Sequence, residues 1–488
     1  MLARSDVNFR LIIKFLGILL IILAGFMVFP LIWSWHYGES STMRALIYSL
    51  GITLAVGASL FWLARKYDHR NIGKKEGYLV VTLTWVTISV FGALPFLLSG
   101  AIPSYTDAFF ETISGFTTTG ATILNDIEIM PKGLLFWRSM THWLGGMGII
   151  VLTLAILPIL GVGGMQLFVA EAPGTTPSRL HPRITETAKR LWGIYVVFTL
   201  SQTLLLMLGG MDLFDGLCHS FSTMATGGFS TQNDSIAGYS PFIQYTIILF
   251  MIIAGISFSL HYFILKGQFE KVLQNEELRF YLSIMGLFTL IIAALIIIFH
   301  QAGLEKGFRD SLFQVVSIVT TTGFVTADYL EWKDFIWFLI FLLMFTGGCI
   351  GSTAGGVKMI RLLVLFKNTR LELKRQLHPM AIIPVRVNGK RIPPEIIHNF
   401  LAFFLLYMLL FTAGATIMTF AGMDFASAIG ASVATIGNIG PAIGSVGPVE
   451  TYAHIPVLGK WILSLFMLLG RLEIFTVILL FSPSFWRK

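Results

Sequence analysis

The chain has 488 residues, of which 55% are hydrophobic and 12% charged, and its mean hydropathy is +0.78. That length would hold roughly two to four soluble domains, but the composition excludes them and specifies a polytopic membrane protein. The net charge of +8 does not point to nucleic acid, because the basic residues gather in a few loops between apolar runs, as the positive-inside bias requires.

Residues 11–34 and 43–65 are each long enough to cross a bilayer, which takes about 20 apolar residues in a helix. The first run is too long for a signal-peptide core and no A-x-A-like site closes it, so it reads as a span. Glu39 lies in the loop between the two spans. Arg4, Arg10 and Lys14 before them, and Arg65 through Lys75 after them, place both ends of this hairpin on the cytoplasmic side.

A pattern then repeats four times: an apolar span, a short amphipathic run opened by an acidic residue, a Thr/Gly turn and a second apolar span. The first unit reads 78–100, Asp107 to Phe116 and 133–160; the second reads 190–209, Asp212 to Met224 and 241–265. The third reads 279–299, Asp310 to Val319 and 335–366; the fourth reads 396–421, Asp424 to Ile436 and 456–481. Basic loops at Arg179–Arg190, Lys266–Arg279 and Lys367–Arg391 separate the units, so all four turns open to the outside. The predicted division is 1–70 for the N-terminal hairpin, then 71–170, 171–270, 271–375 and 376–488 for the four units.

The short runs are half the length that spanning demands, so they dip in and return. Re-entrant backbone at membrane depth survives only when protein or a watery cavity surrounds it, since lipid offers no hydrogen bonds. The fold this predicts is all-α: four tandem helix, re-entrant loop, helix units around one pseudo-fourfold pore. Asp107, Asp310 and Asp212 or Asp424 are placed to cap the short helices, whose negative C-terminal ends would then face a cation.

The turns supply the candidate ion site. Consecutive inward carbonyls can replace an ion's water if a residue tolerant of positive φ holds them. Thr118, Thr119 and Gly120; Thr226, Gly227 and Gly228; and Thr321, Thr322 and Gly323 fit that need. Asp107 to Gly120, Asp215 to Gly228 and Asp310 to Gly323 are each 13 residues apart, and that spacing selects Gly437 in the fourth unit. The matching triplets Gly210-Met211-Asp212 and Gly422-Met423-Asp424 select Gly440 instead. We take the latter, with Asn438 and Ile439 before it.

Two further stretches carry mechanism. The run from Phe345 to Lys358 holds Gly347, Gly348, Gly351, Gly355 and Gly356, a density that unwinds a helix. It is no phosphate loop, because Val357 follows Gly356 where Lys would be needed. Close helix packing is the plain alternative to an unwound intramembrane loop. Arg471 lies deep in an apolar run, where a charge is costly enough to suggest function; the alternative is a salt bridge to Glu473 or Glu111. Lys358 and Arg361 are read as the cytoplasmic edge of the third unit. Cys218 and Cys349 sit in apolar or Gly-rich surroundings as unpaired, packed thiols, and His142, His219 and His261 as packed or hydrogen-bonded residues.

Together with Trp143–Gly148, Ile156–Met165 and Gly470-Arg471-Leu472-Glu473, these runs closely resemble the TrkH/TrkG branch of the Trk/Ktr/HKT superfamily of potassium transporters, over nearly the whole chain. The resemblance implies a multi-pass protein of the bacterial inner membrane, with cytoplasmic termini and K⁺ as the transported ion. It implies a Gly-rich loop that gates the pore, a pore-facing Arg471, a homodimer and a cytoplasmic TrkA-like ring that binds NAD and ATP. The chain itself has no nucleotide-binding pattern, so nucleotide regulation requires that partner, for which 179–190 and 367–391 are candidate docking segments. The Asn438-Ile439 pair departs from Thr-Thr and keeps a less selective Na⁺/K⁺ conduit open as an alternative, beside an H⁺- or Na⁺-coupled symporter. An intramembrane enzyme is disfavoured, since neither paired catalytic acids nor H-E-x-x-H is present.

Overall fold

The structure, a computed structural model, describes residues 7–65, 74–148, 184–378, 380–381 and 383–487. The Ile156–Met165 motif, Arg4, Arg179, Arg183 and the basic residues at 66–70 lie outside that set. Among the described residues, six helices are long and apolar enough to cross a membrane, and a seventh span forms if one bent pair is joined.

Phe9–Phe26 and Val28–His36 make the first span and Ser40–Ala64 returns beside it. The two cross at small residues. A Cβ on Gly17 would fall 2.6 Å from the Phe61 amide nitrogen and 2.8 Å from the Gly57 carbonyl oxygen, so only glycine allows this approach.

The four units follow in order, each with a leading helix, a short pore helix and a return segment. Unit one has Lys74–Gly92 with Leu94–Leu98, then Tyr105–Phe116, then Lys132–Gly146. Unit two has Ile184–Leu208, Leu213–Met224, and Pro241–Gly255 with Phe258–Leu265. Unit three has Glu276–His300, Leu304–Val319, and Asp334–Leu343 with Met359–Leu377. After a two-stranded hairpin pairing Arg386–Val387 with Lys390–Arg391, unit four has Pro394–Phe420, Phe425–Gly437, and Val457–Arg471 with Phe475–Phe481.

Burial sorts these elements into shells. The leading helices of units two, three and four bury only 33%, 28% and 28% of their apolar windows, and Leu208, Leu290 and Leu405 point outward from them. An apolar surface of that extent is matched to lipid. The leading helix of unit one buries 67% because the N-terminal spans cover it. The pore helices lie innermost: every residue from Ala108 to Phe116 is buried, so protein encloses the re-entrant backbone on all sides.

Local chemistry sets where the pore helices begin. Ser104, Asp212 and Asp424 are the N-caps, accepting from the amides of Asp107, Asp215 and Ser427. Asp212 and Asp424 thus cap as expected, but Asp107 sits three residues into its helix behind Ser104. Asp310 lies in the interior of a pore helix that starts earlier, at Leu304. The caps, not the third-position acids, are the equivalent points in units one, two and four.

The return segments differ from the sequence expectation, which interrupted only the third. Pro241–Gly255 and Phe258–Leu265 meet at 101°. In unit four the helix stops at Arg471, and Glu473 and Ile474 take positive φ before Phe475 resumes. Averaged over a span, hydropathy stays high through both breaks, although Arg471 and Glu473 stand at the second; Gly255, and Gly470 with those two charges, were the available signals.

Candidate functional site: a four-turn ring above a Gly-rich loop

The four Thr/Gly turns come together as one ring. Each pore helix ends in a Schellman motif: the amides of Thr119, Gly227, Thr322 and Ile439 donate to the carbonyls of Ser114, Ser222, Ser317 and Ala434 at 2.9, 2.8, 2.8 and 2.9 Å. The motif needs a left-handed residue, and Thr118, Thr226, Thr321 and Asn438 supply it with φ of 54°, 54°, 56° and 54°. Gly is usual there; a β-branched residue costs about 1–2 kcal/mol, and strain of this kind collects at functional sites. Two residues on, Gly120, Gly228, Gly323 and Gly440 have φ of 80°, 84°, 83° and 94°. Gly437 is the last residue of its pore helix, so Gly440 is the backbone equivalent of the other three.

Glycine closes the ring as well as turning the chain. A Cβ on Gly120 would lie 2.1 Å from the Gly227 carbonyl oxygen, one on Gly228 2.0 Å from that of Thr322, one on Gly323 2.1 Å from that of Ile439, and one on Gly440 2.6 Å from that of Thr119. Each glycine therefore touches the carbonyl just before its neighbour's glycine, in the cyclic order one, two, three, four and back to one. All four glycines line a single vestibule with Thr122, Asn125, Gln232, Asn233 and Glu450. The fourth turn keeps this backbone despite its different side chains; Asn438 Nδ2 donates to Thr119 Oγ1 at 2.9 Å and to the Met467 carbonyl at 2.8 Å.

The ring's other side is covered by the Gly-rich loop, residues 344–358, which is non-helical between Leu343 and Met359. Thr353 Oγ1 donates to the carbonyl of Met224 at 3.0 Å, and the Gly355 amide donates to Thr321 Oγ1 at 2.7 Å. A Cβ on Gly355 would sit 2.7 Å from the Gly437 carbonyl oxygen, and Gly347 lies as close against Gly355. Gly351 and Gly356 take φ of 75° and 64°. The glycines thus let the loop fold on itself and lie against three pore-helix ends.

Arg471 completes that cover. Its guanidinium donates to Thr118 Oγ1 at 3.2 Å, the Thr353 carbonyl at 2.7 Å, the Gly146 carbonyl at 2.8 Å and the Gly145 carbonyl. The fifteenth residue of each return segment is Gly146, Gly255, Gly348 and Arg471, counted from Lys132, Pro241, Asp334 and Val457. Arg471 therefore occupies the place that three units leave to glycine, and its side chain reaches across to the loop. Both carboxylates considered for it are engaged by other arginines. Glu111 pairs with Arg138, and Glu473 pairs with Arg361.

That second pair gives Lys358 and Arg361, read as the cytoplasmic end of the third unit, an interior setting. Both are buried, Arg361 against Glu473 and the Phe403 ring, and Lys358 with its ammonium on the Ala354 carbonyl. A basic residue just after an apolar run gives no sign of such burial; the break in unit four brings Glu473 inward to meet Arg361.

Sequence reasoning missed the supports behind the ring. Glu111 accepts from the Ile123 amide at 2.9 Å, from Thr122 Oγ1 and from Arg138 Nε at 2.7 Å, while Arg138 donates to the Ser230 carbonyl at 2.9 Å. This buried pair fixes the segments that leave turns one and two. His219 takes the same position in unit two, its ring nitrogens 3.0 Å from Ser230 Oγ and 2.8 Å from the Asp215 carbonyl. His142 and His261 are likewise hydrogen-bonded, to Ser222 and the Ile253 carbonyl. The signal available was a charge inside each of two apolar elements. Glu111→Ala is expected to destabilise the protein by about 3–5 kcal/mol, because it strands the buried Arg138 cation, whereas replacing both partners by apolar residues should cost much less. Thermal unfolding of the two variants in detergent measures that difference.

Comparison with known proteins adds relatives over the whole chain. The profile of the TrkH family, described as cation transport protein, matches residues 43–488. The chain is 42% identical over 488 residues to the Trk system potassium uptake protein TrkH of Escherichia coli K12, covering 99% of this chain and all of that protein. It is 32% identical to TrkG of the same organism, covering 98% of this chain and 99% of the other. The crystal structure of the potassium transporter TrkH from Vibrio parahaemolyticus superimposes with a TM-score of 0.88 at 37% identity, over 98% of this chain and 100% of that one.

Proposed function

The chain belongs to the TrkH family of cation transport proteins, and from that membership we propose that it takes up potassium through the four-turn ring. The observation that carries the proposal is the closed glycine-to-carbonyl contact around all four units. Carbonyls of Thr118, Thr119 and Gly120, and of their equivalents at 226–228, 321–323 and 438–440, replace the water of K⁺, with four helix C-termini adding negative potential. The loop at 344–358 gates the ring from the opposite side, with Arg471 as a positive barrier tied to it.

On this reading the protein works in the bacterial inner membrane as a homodimer, with both termini cytoplasmic and regulation supplied by a TrkA-like nucleotide-binding ring. Growth of a bacterium lacking its own K⁺ uptake, on limiting K⁺ with and without such a partner, tests uptake and regulation together. In proteoliposomes, a reversal potential that follows the K⁺ gradient alone is the expected result. A shift with pH or Na⁺ would favour a coupled symporter, and equal Na⁺ permeability an unselective conduit.

A further inference from the structure

The Gly-rich loop is strung between two points held by one buried carboxylate. Glu277 lies in the first turn of Glu276–His300 and is 5% exposed. Its Oε1 accepts from the amide of Ile350 at 2.8 Å and from the amide of Ile360 at 3.1 Å. Ile350 stands in the loop and Ile360 in the first turn of Met359–Leu377, where amides have no partner within their own helix. Between these two amides lie the groups that cover the ring: Thr353, whose carbonyl accepts from Arg471, and Gly355, whose amide donates to Thr321.

The neighbouring residue extends the connection. Glu276 Oε1 accepts from the Asn388 amide at 2.8 Å, and Asn388 Oδ1 accepts from the Glu276 amide at 2.8 Å. Asn388 is in the tight turn of the hairpin Arg386–Val387 and Lys390–Arg391. Glu276 also pairs with Lys367, whose ammonium donates to the Arg386 carbonyl at 2.9 Å. One helix start therefore grips the intramembrane loop with its second residue and an exposed hairpin with its first.

We propose that Glu277 is a positioning residue that latches the loop in its pore-covering conformation, and that Glu276 couples this latch to the hairpin at 386–391. The inference rests on the reading of 344–358 as the gate. A force or partner acting on the hairpin would shift the start of Glu276–His300 and release both loop amides together. A single oxygen taking two bonds makes the release concerted.

The buried thiol of Cys349, inside the loop, reports the opening directly. In the full chain carrying Cys218→Ala and reconstituted in liposomes, alkylation of Cys349 by a water-soluble maleimide and rubidium flux are measured without any partner. Glu277→Leu, which removes the acceptor, is expected to raise both by on the order of tenfold, as the loss of two hydrogen bonds to a carboxylate implies. Glu277→Gln keeps the accepting oxygen and is expected to restore values close to the parent. If Glu277→Leu is not monodisperse, Glu277→Asp withdraws the acceptor by one methylene and carries the same expectation. Asn388→Ala is expected to speed Cys349 alkylation to a smaller degree; no change there overturns the coupling to the hairpin. Deletion of 351–354 separates the two readings. Raised flux in the deletion with unchanged flux and alkylation in Glu277→Leu overturns the latch alone, and unchanged flux in the deletion overturns the gate on which it rests.

Discussion

Gly323→Ser is expected to lower the K⁺-over-Na⁺ permeability ratio by on the order of tenfold, which corresponds to about 1.4 kcal/mol of relative binding free energy. Two effects act at this residue. Its φ of 83° is strained for any residue with a Cβ, and that Cβ would land 2.1 Å from the Ile439 carbonyl oxygen. Backbone, not a flexible side chain, must yield, and the atom displaced is one proposed to contact the ion. The same substitution at Gly120 or Gly228 meets a neighbouring carbonyl at 2.1 or 2.0 Å and should be as damaging. Gly440, with 2.6 Å of separation, should tolerate it best. Bi-ionic reversal potentials of the four variants test this order. Unchanged ratios at Gly323 would remove that glycine from the filter.

Arg471→Ala should raise ion flux by about tenfold, because it removes a fixed positive charge from the proposed ion path and frees the loop at Thr353. The geometry makes the outcome specific to the guanidinium. Donors to Thr118 Oγ1 and to the carbonyls of Thr353, Gly145 and Gly146 diverge from one planar group, a fan that lysine's compact ammonium cannot reproduce. Arg471→Lys should therefore restore the charge barrier but not the hold on the loop, giving a flux between the parent and Arg471→Ala. Rubidium uptake and monodispersity are measured together. Loss of flux with loss of monodispersity would assign Arg471 to structure alone.

Much of the architecture was legible because lipid imposes simple rules. Length and hydropathy marked the leading spans, and half-length runs had to be re-entrant. Legibility fell where the physics became local. The 13-residue spacing from Asp to Gly pointed to Gly437, yet in units one and two that spacing starts from the third helical residue, which is Ser427 in unit four. The N-cap to Gly distance of 16 residues, from Ser104, Asp212 and Asp424 to Gly120, Gly228 and Gly440, is the equivalence the backbone keeps. The breaks in the second and fourth return segments were hidden because apolar composition measures transfer to lipid, not helix continuity.

By itself the sequence determined a four-unit, lipid-embedded chain and the positions where glycine turns gather, since both follow from composition, spacing and backbone freedom along the chain. The tertiary structure alone decided which partners the buried charges take. Arg138 with Glu111, Arg361 with Glu473 and Arg471 with the loop join residues that are 27, 112 and 118 positions apart or more. In a low-dielectric interior an ion or backbone group must find a partner, but the closing of the ring determines which one lies within reach.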